Sequence, residues 1–513
     1  MGARVAGASA GARVAGAQRG GAQHGGAAAW IEAALVTALA LGVRLAGLDH
    51  TPHTDELPPV LAARSLLASG ATAAGSEVNS YAGAQLFTKL VAALFRLGGE
   101  SLAVARIPAV AGGTLLVLAV YLWVRAERGR VAGWVAAILL ALNPLLLSWS
   151  QAVHVAVWQA LATWLGAVAA YRLGSAVVRS RGSGSGASGG RTARTARTAR
   201  AGAALAALVA IAVTGSLSLA LAWPILHAAR PEMRAFRTDL GFYDRLLAAD
   251  YAALWPLLPL AWLLAFAAAP RALGFLGVLF AAWLAGLSLA PGKEERYLLH
   301  VLPVFAAVAG SAAQVLFERA RAACGTFLAA GRAGPPWWAR ALAAAVLAAA
   351  LWPLVAANGA FALSWRMLTV SDADWSDRRP YRGQADWRGA AAELAAVADS
   401  VDVLVSSNAL QSLYSFGRVD FELSVRALRQ GGGSVPEFSR SRIAGRPMIS
   451  APESVARLME MHKRGLIVIE KADWHAGWGV PGGTANLITA YADPVPLSSE
   501  HRILAYRWRP LAE

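Results

Sequence analysis

The chain has 513 residues, of which 57% are hydrophobic and only 15% are charged. Soluble proteins carry about 25% charged residues, so this composition excludes an ordinary water-soluble protein and indicates repeated crossing of a lipid bilayer. The net charge of +16 does not indicate nucleic-acid binding, because the arginines stand in short clusters between apolar runs instead of in one patch.

The first 27 residues contain no apolar run and are rich in Ala and Gly, which predicts a disordered cytoplasmic tail over 1–27. Nine apolar runs follow, each near the roughly 20 residues that a helix needs to cross hydrocarbon. They cover 30–48, 103–124, 132–148, 154–171, 202–222, 251–268, 273–290, 298–316 and 341–358. The sequence therefore predicts a transmembrane domain over 28–360.

Arginine clusters indicate the side on which each loop lies. With a cytoplasmic N-terminus, the loop at 125–130, the Gly/Ser/Arg linker at 182–200 and the loop at 319–340 are cytoplasmic, as the positive-inside rule favours. The loop 49–102 and the C-terminal part then lie on the outer face. Within 49–102, helical spacing of apolar residues predicts two helices in the plane of the interface, at 56–69 and 82–97.

Residues 370–513 show a different pattern, in which short helical and strand-like segments alternate. The helical segments are 387–399 and 452–464, and the strand-like segments are 401–406 and 466–470. The predicted fold class is thus an α-helical polytopic membrane protein with a small C-terminal extracytoplasmic α/β domain. The Ala and Arg bias is typical of a bacterial genome, which predicts a bacterial plasma (inner) membrane.

The first polar cluster, His53-Thr54-Asp55-Glu56, follows the first apolar run. Because adjacent carboxylates repel each other, one of them can serve as a proton acceptor, or both can ligate a divalent cation. A helix start is the structural alternative, since acidic residues stabilise the first N–H groups of a helix. Both interpretations predict that this cluster lies at the membrane surface.

The second cluster lies in the segment 291–303, at the outer end of the eighth run. Lys293 and Arg296 there run against the general charge bias and suit a phosphate at the membrane surface, since arginine offers a bidentate fork. The alternative is that the charges of this segment pair with one another and solvate a turn. The same segment contributes three further candidates, Glu295, Tyr297 and His300.

Three candidates lie elsewhere. His154 opens the fourth run, where a polar residue at membrane depth is either functional or a structural hydrogen-bonding group. Tyr81 and Lys89 fall on one face of the predicted interfacial helix, and Lys89 is either a further phosphate ligand or a lysine that snorkels to water. No nucleotide-binding or zinc-protease motif appears, and the lone Cys324 excludes an intramolecular disulfide.

These residues, in this order, resemble the membrane-embedded C-type glycosyltransferases, which take sugars from polyprenyl-phosphate donors. The first loop of that superfamily starts with an acidic pair, as in His53-Thr54-Asp55-Glu56. The run Asp55 to Gly70, the stretch 105–113 and Leu142-Asn143-Pro144 look like the bacterial protein O-mannosyltransferase and aminoarabinose-transferase branch. The segment 293–297, Lys-Glu-Glu-Arg-Tyr, is similar to the signature of the dolichyl-phosphate-mannose mannosyltransferases, with Gly292 in place of its histidine. The resemblance covers residues 30 to 310.

The resemblance implies an inverting displacement at the anomeric carbon, with Asp55 as the base and Glu56 either orienting the acceptor or joining Asp55 on a metal. Lys293 and Arg296, with Lys89, would hold the donor phosphate. The remaining candidates would be accessory; they are His53, His154, Tyr81, Glu295, Tyr297 and His300. A divalent metal is left open, no other cofactor is implied, and the sugar (mannose or another hexose or pentose) is not specified.

The expected partners are a polyprenyl-phosphate-linked sugar, membrane lipids and a lipid, glycan or protein acceptor, without nucleic acid. Two alternatives remain. A lipid-linked-sugar transporter would also span the membrane many times, but we find no Gly/Pro-interrupted helices at corresponding positions of two halves. A non-catalytic envelope assembly protein predicts that Asp55 is replaceable.

Overall fold

The computed structural model describes residues 28–71, 85–182, 239–289, 293–328, 359–369, 385–425, 437–441, 444–475 and 479–508, together with three single helical positions between 338 and 345. Several predictions lie outside the described residues. They are the tail 1–27, Tyr81, the linker from 183 to 200, the run 202–222 and nearly all of the run 341–358.

The described part of the membrane domain is helical throughout. Its helices are α1 (Ala28–Leu45), α2 (Leu57–Ser69), α3 (Gln85–Gly98), α4 (Leu102–Arg128), α5 (Arg130–Ala141), α6 (Pro144–Ser150), α7 (Ala156–Gly182), α8 (Phe242–Asp250), α9 (Leu258–Ala268), α10 (Pro270–Leu289), α11 (Leu302–Leu328) and α12 (Gly359–Thr369). Among described residues, α1, α4 and α10 are long and apolar enough to cross a membrane, and the bent pair α5–α6 is a fourth if it counts as one span. The chain is a multi-pass membrane protein.

The run predicted at 132–148 is bent by 63° between α5 and α6. The bend has a local cause. Asn143 caps α6 by accepting a hydrogen bond from the Leu146 N–H at 2.7 Å. Pro144 occupies the first helical position, where a backbone N–H would have no partner within the helix. The bend turns α6 so that it ends in the 151–155 loop, which enters the site described below.

The centre of the bundle is formed by α4, α5 and α11. Gly310 on α11 lies against the backbone carbonyl of Ala132 on α5, where a side chain of any size would collide. At one end of the bundle, Glu32 of α1 accepts from Tyr121 at 2.8 Å and pairs with Arg125 and Arg130 at 3.0 and 2.7 Å. These contacts hold α1 against the ends of α4 and α5.

The C-terminal part is a small α/β domain. Its elements are α13 (Trp387–Asp399), β1 (Val403–Ser406), α14 (Ala409–Phe416), β2 (Phe421–Leu423), β3 (Met448–Ile449), α15 (Pro452–Met461), β4 (Gly465–Glu470), α16 (Gly482–Tyr491), β5 (Asp493–Val495) and β6 (Ile503–Trp508). The sheet order is β3-β2-β1-β4-β6-β5, with β3, β2, β1 and β4 parallel and β6 antiparallel to both β4 and β5. The two predicted helices and two predicted strands agree with α13, α15, β1 and β4.

Both faces of this sheet are covered, as a sheet with a parallel core requires. Val403 and Val405 of β1 face the cluster that contains Leu458 of α15, whereas Leu404 faces the cluster that contains Leu394 of α13. The domain therefore has its own hydrophobic core, separate from that of the helical bundle.

Candidate active site

Residues 54–56 form a turn of 3₁₀-helix directly before α2. His53 caps this turn: its Nδ1 accepts from the Asp55 N–H at 3.1 Å, and its backbone N–H donates to Glu56 Oε1 at 2.9 Å. Successive side chains of a 3₁₀-helix point about 120° apart, so the two carboxylates separate. The side chain of Asp55 is 46% exposed, whereas that of Glu56 is completely buried.

Glu56 is held from the protein interior by Arg106 of α4. The guanidinium donates to both carboxylate oxygens, at 2.8 and 2.9 Å, and the Val153 N–H donates to Oε2 at 2.9 Å. The remaining arm of Arg106 donates to the carbonyls of Leu48 and His50 at 2.5 and 3.0 Å. A fully buried ion pair persists only when its polar atoms are bonded in this way, so the pair anchors the turn to α4 and the 151–155 loop.

Arg296 lies beside the exposed carboxylate. Its Nη1 donates to Asp55 Oδ2 at 3.2 Å, and its Nε pairs with Glu294. The guanidinium lies over the rings of Trp149 and Tyr297, with its carbon 5.7 and 5.8 Å from their centroids. Aromatic packing thus fixes a cation next to Asp55, although its side chain remains 22% exposed.

His154 completes the cluster. Its Nδ1 accepts from the Ala156 N–H at 3.0 Å, and its Nε2 is 3.4 Å from Nη1 of Arg296. Burial, and secondarily the charge of Arg296, lowers the pKa of His154 to about 4, so the ring is neutral near pH 7. A neutral ring that accepts at Nδ1 carries its proton on Nε2. His154 and Arg296 therefore present neighbouring N–H groups, and that of Arg296 donates to Asp55.

An apolar cavity of about 820 Å³ lies between α9 and α10. Its walls include Trp255, Trp262, Phe266 and Phe280, and Asp244 of α8 is its one charged lining residue among those described. The neighbour of Asp244, Tyr243, donates its hydroxyl to the carbonyl of Glu294 at 3.3 Å. The charged end of the cavity is thus linked to the segment that carries Arg296.

No protein-family model matches the sequence, and a search of curated proteins returns no match. Among solved structures, ArnT from Cupriavidus metallidurans in the apo state is similar, with a TM-score of 0.53 and 16% identity over 94% of this chain and 98% of that chain. The same protein bound to undecaprenyl phosphate gives 0.51 and 15% over 93% and 98%. An Archaeoglobus fulgidus oligosaccharyltransferase tethered with an acceptor peptide gives 0.50 and 14% over 90% and 72%.

The chain has the GT-C fold. This confirms the predicted fold class, a helical membrane domain followed by a small α/β domain, and it is the fold of the glycosyltransferases that the sequence resembles. In this GT-C fold the first loop after α1 carries Asp55, and the segment before α11 carries Arg296. Sequence positions 241 residues apart thereby meet in one site.

Several predicted site residues lie apart from this cluster. Lys293 donates to the carbonyls of Leu287 and Ser288 at the end of α10 and lies 5.5 Å from the Tyr243 ring centroid, so its ammonium group caps a helix. Lys89 is exposed on α3. His300 ends the 3₁₀-helix Glu295–His300, and its Nδ1 has no hydrogen-bond partner among the described residues.

The remaining candidates take supporting positions. His53 caps the turn, and Tyr297 packs under Arg296. Glu295 opens the 3₁₀-helix that carries Arg296 and is partly buried. A metal shared by Asp55 and Glu56 remains one alternative from the sequence; in the structure both oxygens of Glu56 accept hydrogen bonds. Among the described residues, no group of three or more His, Cys, Asp or Glu could hold a metal ion.

Sequence reasoning missed Arg106, Trp149 and Glu294. Arg106 had a usable signal, because it is a lone charge within the apolar run 103–124, and such charges need a partner. Trp149 directly follows the apolar run 132–148, and its ring lies 5.0 Å from that of His154 and beneath Arg296. Glu294 belongs to the predicted segment, and burial raises the pKa of its carboxyl group.

Proposed function

We propose that this protein is a glycosyltransferase that moves a sugar from a polyprenyl-phosphate donor to an acceptor hydroxyl, with inversion at the anomeric carbon. The observation that carries the proposal is the exposed Asp55 carboxylate beside the N–H donors of Arg296 and His154. A displacement of this kind needs a base for the acceptor and a cationic site for the leaving phosphate. Here Asp55 and Arg296, which can fill these two roles, are within hydrogen-bonding distance of each other.

Asp55 is the base. As the acceptor oxygen bonds to the anomeric carbon, its proton passes to the Asp55 carboxylate, and the bond from that carbon to the phosphate oxygen breaks with its electron pair. Polyprenyl phosphate leaves, and Asp55 later returns the proton to water. Phosphate is a good leaving group, so the reaction needs charge stabilisation more than a strong acid.

Arg296 and His154 hold the phosphate. Arginine matches phosphate oxygens with a planar fork, and the Nε2–H of neutral His154 adds a donor without a second positive charge. Arg296 also donates to Asp55. A bound phosphate competes for the guanidinium, so donor binding releases the Asp55 carboxylate for the acceptor.

The polyprenyl chain occupies the apolar cavity between α9 and α10. The cavity is lined by aromatic and aliphatic side chains, and its charged end is linked through Tyr243 to Glu294, two residues from Arg296. Such walls suit an isoprenoid, which offers no polar groups along its length. The ArnT structure with undecaprenyl phosphate concerns a lipid of the same class.

The site lies on the extracytoplasmic face. The arginine-rich loops that follow α4 and α11 are placed in the cytoplasm by the positive-inside rule, and the Asp55 turn is at the opposite end of α4 from Arg125 and Arg128. The transmembrane domain then spans 28–360, with the outer loop 49–102 and the α/β domain of 370–513 on the same side. Glu56 and Arg106 act as positioning residues, and Lys293 stabilises the end of α10.

The proposal is tested in a strain from which the gene is deleted, by mass spectrometry of envelope lipids, glycans and glycoproteins. We expect one sugar decoration to disappear, which names the sugar and the acceptor. Wild type and Asp493→Asn, an exposed carboxylate of β5, restore it, whereas Asp55→Asn does not. Restoration by Asp55→Asn, or an unchanged envelope in the deletion strain, would favour an assembly or transport function.

A further inference from the structure

The α/β domain is hydrogen-bonded to the segment that leads to Asp55. Four side chains of the domain bond to four residues of this segment. The bonds join Arg388 to Asp49 at 2.8 Å, Asp386 to the Thr51 hydroxyl at 3.3 Å, Gln411 to the Pro52 carbonyl at 2.8 Å and Asn408 to the Thr54 hydroxyl at 3.1 Å. Leu57, directly after the turn, is buried among apolar residues of the domain, including Leu410.

Asn408 is the contact closest to the base in sequence, because Thr54 immediately precedes Asp55. Its Oδ1 caps α14 by accepting from the Gln411 N–H at 3.3 Å. Its Nδ2 donates both to Thr54 Oγ1 and, at 2.8 Å, to Glu470 Oε1. Trp387 donates to the same Glu470 oxygen at 2.8 Å, so the orientation of the amide is fixed from within the domain.

Asn408 lies just after the carboxyl end of β1, and Glu470 is the last residue of β4. The chain proceeds from β1 to β2 and β3 on one side and then returns to β4 on the other side of β1. The gap between the ends of β1 and β4 is therefore the point at which the strand order reverses. Open α/β sheets usually bind their ligands in this crevice.

We propose that the α/β domain uses this crevice to hold the catalytic turn, and that Asn408 is a positioning residue for Asp55 through its bond to Thr54. The inference rests on the proposed function, in which Asp55 is the base. It assigns a role to the C-terminal domain. The membrane domain supplies the reacting groups, and the crevice of the α/β domain binds the turn of residues 54–56 where other α/β sheets bind a small ligand.

The turn needs a second anchor because it is only three residues long. Glu56 fixes its buried side through Arg106 and Val153. The Asp55 side chain is 46% exposed, with Arg296 and His53 near its carboxylate. The Asn408 bond holds the residue on the other side of Asp55, so the base lies between two fixed neighbours. Catalytic groups need such support because a displacement of about 1 Å can cost about 100-fold in rate.

The test uses Thr54→Val and Asn408→Ala in the full-length protein. Transfer is measured in membranes of the deletion strain, which supply donor and acceptor, and binding is measured with undecaprenyl phosphate. We expect each variant to lower the transfer rate about 10- to 100-fold and to leave undecaprenyl phosphate affinity within about twofold of wild type, because Arg296 and His154 are untouched. The double variant loses no more than Asn408→Ala alone, since the bond between Thr54 and Asn408 is already absent there.

Two controls separate positioning from loss of folding. Thr54→Ser keeps the hydroxyl and retains most of the rate, and Asn486→Ala, which removes an exposed amide of α16, matches wild type. Amide hydrogen exchange over 51–57 becomes faster in Thr54→Val and Asn408→Ala. Faster exchange with wild-type transfer rates, or additive losses in the double variant, would overturn the inference. Absence of transfer by the wild type would instead overturn the proposed function, while the exchange data would still report on the anchor.

Discussion

Arg296 donates a hydrogen bond to Asp55 at 3.2 Å, so the two groups assigned to phosphate and acceptor are bonded to each other. Each group partly neutralises the charge of the other. A phosphate has the charge and geometry to replace Asp55 as the partner of the guanidinium. In the proposed mechanism, a phosphate that takes the place of Asp55 on Arg296 also releases the carboxylate that serves as the base.

Arg296→Ala is expected to weaken undecaprenyl phosphate binding about 10- to 100-fold, since hydrogen bonds to charged groups contribute about 1.5–3 kcal/mol. Binding to the purified protein in lipid nanodiscs measures this directly. Arg245→Ala is the matched control, because Arg245 is an exposed arginine that pairs with Asp239. Equal affinities of Arg296→Ala and wild type would remove Arg296 from the phosphate site.

Arg106→Ala is expected to destabilise the protein by about 3–5 kcal/mol, because it leaves the buried Glu56 carboxylate without its bidentate partner. Thermal unfolding in detergent measures the loss. Arg172→Ala, which breaks an exposed pair with Glu127, should change stability by no more than about 1 kcal/mol. Similar unfolding temperatures for the two variants would show that Glu56 does not depend on Arg106.

Much of this arrangement can be predicted from sequence, since the apolar runs, the alternating C-terminal segments and the clusters around Asp55 and Arg296 are local patterns. Local sequence does not determine which of the two adjacent carboxylates is buried. That depends on the 3₁₀ turn and on Arg106, which comes from another helix. The contacts of Lys293 likewise depend on where α10 ends, because its acceptors are the last carbonyls of that helix. The number of membrane spans is also difficult to predict from sequence, since the run at 251–268 contains only the short helix Leu258–Ala268.

The contacts of His501 predict that the stability of the α/β domain depends on pH. Its ring contacts Asp386 and Glu393 at 2.9 and 2.7 Å. Burial alone would lower the pKa of His501, but the two carboxylates outweigh it and raise the pKa above the ordinary 6.5. The protonated form is therefore favoured in the folded state, and its contribution to stability is fully present below pH 6.5 and is lost as the pH rises through the raised pKa.

We expect His501→Gln to unfold at a lower temperature than wild type at about pH 5.5, with a smaller difference at about pH 8.5. Differential scanning fluorimetry across this range measures the two curves. A difference that grows as the pH rises would have the opposite sign and would contradict the assignment of His501 as a protonated partner of the two carboxylates.

Ala281→Trp places a large ring in the cavity between α9 and α10. It should lower undecaprenyl phosphate affinity about 15- to 60-fold, since displacing two or three methylene groups from apolar contact costs about 0.8 kcal/mol each. Geranyl phosphate, whose chain is too short to fill the cavity, should lose much less. Unchanged affinity for both ligands would place the polyprenyl chain elsewhere.

The central claim is that Asp55 is the catalytic base. It is tested most directly by transfer with purified wild type and Asp55→Asn, using the donor and acceptor that the envelope analysis identifies. The account predicts that Asp55→Asn folds, binds undecaprenyl phosphate and loses at least about 100-fold in transfer rate, as expected for removal of a general base. A transfer rate equal to that of wild type would contradict it.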